Sequence, residues 1–72
     1  MLVFKKRKNS VGGFNYEARG DFRKHVNFIR ITKTAKVWSM LVFTDESYEG
    51  ELYGTYPTSK DAIFYAELDF AD

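Results

Sequence analysis

Alternation with period two marks the first clear element of this chain. Phe14, Tyr16 and Ala18 fall on one side and Asn15 and Glu17 on the other, the pattern of a half-buried strand. Arg19-Gly20-Asp21 supplies a turn, and extended character resumes from about Phe22 to Thr32. There Val26, Phe28, Arg30 and Thr32 share one face, with Asn27, Ile29, Ile31 and Lys33 on the other. Lys33-Thr34-Ala35-Lys36 reads as a hairpin loop. Residues 37–43 are almost continuously apolar, as a strand buried on both faces is. Thr44-Asp45-Glu46-Ser47 is a polar turn, and a last strand is expected from Tyr48 to Thr55, with Gly50 and Gly54 on its Leu52 side leaving room for a helix. At the other end, residues 2–4 read as a short strand or a frayed start, and Asn9-Ser10-Val11-Gly12-Gly13 as a break.

The sharpest local signal is Pro57-Thr58-Ser59-Lys60-Asp61. A hydroxyl at Thr58 and an acid three residues later predict a helix from about Ser59 to Asp69 with Thr58 as its N-cap. Ala62, Ile63, Ala66 and Phe70 form its inner stripe. The expected fold is α+β, a three- to four-stranded antiparallel sheet with one C-terminal helix packed on one face. Residues 1–72 make one small domain, with residues 1–10 as a flexible basic segment. A single helix covers one side of a sheet, yet residues 37–43 are apolar on both, with Trp38, Met40 and Val42 opposing Val37, Leu41 and Phe43. At about 25 cal/mol per Å2, leaving such side chains in water forgoes a large part of the stability of a small domain. The second face is therefore expected to be covered by the N-terminal segment or by another chain.

Charge changes the picture. Residues 1–36 hold ten of the eleven Lys and Arg residues against Glu17 and Asp21, while residues 37–72 hold Lys60 against eight acids. The net charge of +1 thus conceals a bipolar molecule. The chain has no Cys and one His, which excludes disulfides and thiolate or histidine-cluster zinc sites. Neither a metal nor a cofactor is expected. The charge following Met1-Leu2-Val3-Phe4 stands on the wrong side for a secretory signal, and no apolar stretch is long enough to span a bilayer, so a soluble cytoplasmic protein is expected.

No constellation names a reaction. The carboxylates Asp45, Glu46, Glu49 and Glu51 lack a neighbouring His and the spacing of a calcium loop, which argues against an enzyme. The first expectation is a non-enzymatic module that binds protein, itself or a larger partner, through an apolar sheet face bearing Trp38, Met40 and Tyr53 with Glu49 and Glu51 at its rim. Phage and mobile-element accessory proteins have this size and composition. The alternative is nucleic-acid binding by Lys5, Lys6, Arg7, Lys8, Arg19, Arg23, Lys24 and Arg30, interleaved with Phe4, Phe14, Tyr16, Phe22 and Phe28 as a stacking surface requires. One structural criterion separates the two. Basic groups paired with Glu49 and Glu51 make the polarity internal, whereas a common basic surface favours nucleic acid.

A short resemblance bears on the alternative. Residues 52–66, with Gly54-Thr55-Tyr56-Pro57-Thr58 leading into Asp61-Ala62, resemble the last-strand-to-helix junction of plant ethylene-response-factor domains and of the arm-binding domains of phage integrases. The resemblance implies DNA reading by the open sheet face, where Glu49 and Glu51 depart from the basic residues of those families.

Overall fold

A computed structural model describes residues 2–23 and 25–72. The strands are β1 (Leu2–Lys8), β2 (Phe14–Gly20), β3 (Val26–Thr34), β4 (Val37–Thr44) and β5 (Glu51–Tyr56), followed by α1 (Ser59–Phe70). They form a five-stranded meander in the order β1-β2-β3-β4-β5, each strand antiparallel to its neighbours. The α+β architecture with a C-terminal helix is as expected, but the sheet has five strands rather than three or four.

The additional strand comes from the basic run. Lys5, Lys6, Arg7 and Lys8 pair with Glu17, Tyr16, Asn15 and Phe14 instead of trailing free. An edge strand accepts consecutive charges because its alternate side chains point to different faces, and such charges also discourage edge-to-edge aggregation. The β1–β2 turn is tied by Asn9, whose Oδ1 accepts from Val11 N at 3.1 Å and Gly13 N at 2.9 Å. Gly12 there has φ +86°, a conformation costly for other residues.

Two irregularities decide which side chains share a face. Between Val26 and Phe28 the register with β4 shifts, so Val26 packs toward the core rather than beside Phe28. Between Met40 and Leu41 the register with β5 shifts, placing Gly54 opposite Met40 and Leu52 opposite Leu41. Tyr53 is the extra residue of this bulge, and its ring packs edge-on against Phe70 at 4.7 Å. The last strand begins at Glu51, not Tyr48. Thr44 and Ser47 exchange backbone hydrogen bonds, and Gly50 N donates to Ser47 O, all at 3.2 Å, which holds the preceding residues in a loop. Gly50 makes room for Phe43 rather than for the helix. Its φ is +89°, and a Cβ there would lie 2.7 Å from Phe43 Cε2.

Thr58 caps α1 as expected, accepting from Asp61 N at 3.1 Å. Ala62, Ala66 and Phe70 are buried against Leu2, Ala18, Ile29, Ile31, Met40 and Val42, with Ile63 packed beside them. The end of the helix is pinned at the opposite corner of the sheet. Arg23 N donates to Phe70 O at 2.7 Å, Asp72 N to Asp21 O at 2.9 Å, and Leu2 N to Glu67 Oε2 at 3.2 Å.

Candidate nucleic-acid interface

The sheet face away from α1 is assembled by strand alternation. Lys5, Glu17, Arg30, Leu41 and Leu52 lie in one cross-strand row. Beside it run Arg7, Asn15, Thr32, Ser39 and Thr55 on one flank, with Arg19, Phe28 and Phe43 toward the other. Phe28 and Phe43 pack at 5.4 Å between ring centroids. The guanidinium of Arg19 lies 4.7 Å from the centre of Phe28, and that of Arg30 lies 5.3 Å from the centre of Phe43. Such cation–π contacts contribute about 0.5–1 kcal/mol each near a surface. They also hold two planar cations over an aromatic floor.

Glu17 is the acid in this field. It sits 3.1 Å from Arg7 Nε and 3.6 Å from Arg30 Nε, and Arg30 Nε is buried without a hydrogen bond. One carboxylate thus serves two guanidiniums. Lys5 and Arg19 flank the pair and, with Val3, Arg7 and Glu17, line a shallow depression of about 70 Å3.

The apolar surface expected around Trp38 and Met40 is corrected by this arrangement. Met40 is 0% exposed because the helix covers it, and Trp38 is half-buried on the same side, 5.7 Å from Tyr16. The side of β4 that escapes the helix carries Leu41 and Phe43, and the Arg30 guanidinium lies over the Phe43 ring. Tyr53 is also on the helix side, its hydroxyl donating to Asp69 Oδ2 at 2.8 Å. That bond, followed by burial and the carboxylate's charge, raises the Tyr53 pKa above the usual tyrosine value. Burial, followed by the charge of Asp69, does the same for Tyr56.

Glu49 lies in the loop before β5, and Glu51 pairs with Val42. Glu51 lines a cleft of about 320 Å3 with Glu46, Tyr53 and Phe70 rather than the open face. The partner of Arg30 is Glu17, from the adjacent strand. The basic residues divide. Lys5, Arg7, Arg19 and Arg30 belong to the open face, while Lys6 and Lys8 alternate to the helix side. Arg23 lies in the β2–β3 loop, and Lys24 lies outside the described residues. Phe43 and Lys33 were placed on their strand faces from sequence but not assigned to a nucleic-acid surface; the alternation along residues 37–43 and along β3 is the signal that locates them.

Among the described residues, no helix is long and apolar enough to cross a membrane. No protein-family model, curated protein or solved structure matches the chain.

Proposed function

We propose that this protein binds nucleic acid through the open face of its sheet. The observation that carries the reading is the cationic open face, on which Arg19 and Arg30 lie over Phe28 and Phe43 while Lys5 and Arg7 follow along β1, with Glu17 as the acid among them. Cations on a rigid sheet neutralise phosphates and release counterions, and guanidinium planes held over Phe28 and Phe43 offer flat surfaces on which bases stack. Glu46 and Glu51 of the C-terminal half line the helix-side cleft instead. Anisotropy titrations of a labelled mixed-sequence oligonucleotide at rising salt test the reading. Engagement of about four phosphates gives a slope of log affinity on log salt near −3, and Lys5→Glu with Arg19→Glu weakens binding at least tenfold at low salt. No binding at low salt, or equal affinity for the double variant, overturns it.

Protein contact is the second reading, and a different surface favours it. On the outer side of α1, Phe64 and Leu68 are 60% and 55% exposed, one helical turn apart, and Tyr65 stands beside Phe64. A second copy of the chain is the occupant proposed for this apolar strip. Light scattering would show a dimer that Phe64→Asp dissociates. A monomer at every concentration removes this reading.

A further inference from the structure

The helix leaves one corner of its own sheet face uncovered. Its C-terminal end is drawn to Leu2, Asp21 and Arg23 by the three hydrogen bonds described above, so it moves away from the end of the sheet where the β1–β2 and β3–β4 turns lie. A groove of about 470 Å3 remains there. Tyr16 and Trp38 form its aromatic floor, Phe14, Lys6 and Lys33 its walls, and Asn9 its turn-side rim. Among the described residues no acidic side chain lines it. The cleft at the opposite end, lined by Glu46 and Glu51, has the reverse character.

The chemistry of the groove is specific in two respects. First, Phe14 is 45% exposed with Lys6 Nζ 4.5 Å from its ring centre, so an aromatic face and a cation are presented together. Second, the rim is already ordered. Asn9 Nδ2 donates to Asn15 Oδ1 at 3.1 Å, and Thr32 Oγ1 donates to the same oxygen at 2.7 Å, tying the turn to β2 and β3. A rim ordered before binding loses little entropy when a ligand enters.

An aromatic, anionic ligand matches this lining, and β1 connects the groove to the open face. Because β1 is the sheet edge, Lys5 and Arg7 point to the open side while Lys6 and Lys8 point to the groove side. We infer that the groove receives a base of single-stranded nucleic acid, stacked on Phe14 and Trp38 with its phosphates near Lys6 and Lys33. The strand passes over the β1 edge from the open face. The inference rests on the nucleic-acid reading above and adds to it a preference for single strands, since a paired base cannot leave its stack without an unpairing cost.

Trp38 is the chain's one tryptophan, so its fluorescence reports the groove while anisotropy reports binding anywhere. Labelled DNA and RNA 16-mers and the duplex of the same sequence would be titrated against the full chain, with both signals followed. Single strands are expected to quench Trp38 over the concentration range in which anisotropy rises, and duplex to leave it unquenched. Phe14→Ala, at an exposed position, should weaken single-strand binding about five- to hundredfold with circular dichroism unchanged. RNA and DNA quenching to different extents would identify which strand the groove prefers, and either supports the inference. Rising anisotropy with constant Trp38 emission and an unaffected Phe14→Ala variant overturns the groove and leaves the open-face reading standing. Equal quenching by duplex overturns the single-strand preference. Constant anisotropy with every nucleic acid overturns both.

Discussion

The two sides of β4 carry equally apolar side chains and meet opposite fates. Trp38, Met40 and Val42 lie beneath or beside α1, and Met40 is completely buried. Leu41 and Phe43 face the open side, where arginine guanidiniums cover rings that no helix reaches. An apolar strand face therefore does not by itself mark a core or a protein interface; what neighbouring strands bring to it decides. Here β2 and β3 bring Arg19 and Arg30, whose methylene stems lie on apolar surface while their charged heads stay near water. The helix side gains its stability from volume exclusion and close packing. The open side retains accessible charge.

The largest effect sharpens this contrast on adjacent residues. Met40→Ala should cost about 2–5 kcal/mol through the cavity left beneath the helix, against about 1 kcal/mol for Leu41→Ala on the half-exposed side. Urea denaturation checks both, and equal costs would break the comparison. A smaller effect separates helix from open face. Thr58→Ala removes the cap of α1 and should lower stability by about 1 kcal/mol while oligonucleotide affinity in the folded protein is unchanged by anisotropy.

Glu17→Gln acts on the open side alone. It removes the carboxylate shared by Arg7 and Arg30, so affinity for nucleic acid should rise a few-fold with a steeper salt slope. The accompanying stability loss is expected to be about 1 kcal/mol, because the carboxylate is largely buried but the amide keeps an accepting oxygen beside the guanidiniums. Weaker binding in this variant would mean that Glu17 positions the arginines rather than competing with phosphate for them. The smallest effect belongs to the helix side at high pH. The Tyr53 pKa is raised in the folded state, so the native form holds that proton more tightly than the unfolded chain. Its contribution is complete below the ordinary tyrosine pKa of about 10 and is lost as pH rises through the higher folded value. Tyr53→Phe should lower stability slightly at neutral pH, where the Tyr53–Asp69 bond is intact, and flatten the alkaline limb in denaturation series.

Much of the framework was legible from short-range pattern. Thr58 and Asp61 marked the start of α1, alternation located the β2 strand, and Phe28, Arg30 and Thr32 were assigned to one face. Two misjudgements had physical causes. The run from Lys5 to Lys8 reads as a solvated tail because charge masks strand character, yet edge position makes those charges acceptable. The expected open apolar face at Trp38 and Met40 reflected a real ambiguity, since a strand apolar on both sides does not say which side the helix takes. Arg7 and Arg30 pair with Glu17 and not with the acids that the criterion named; what keeps Glu51 away from them is the Met40/Leu41 bulge. It places Glu51 opposite Val42 and removes its charge from the arginine face.

The sequence by itself determined the local elements, the helix cap, the bipolar charge and the absence of thiol chemistry, because these depend on neighbours a few residues apart. Only the tertiary structure decided that Glu17 and not Glu51 meets Arg30, that Met40 is core, and that Phe14, Tyr16 and Trp38 form a groove with Lys6 and Lys33. Each of these depends on register between strands distant along the chain. A single extra residue in one strand changes which side chains share a face, and that choice is settled by the packing of the whole sheet against its helix.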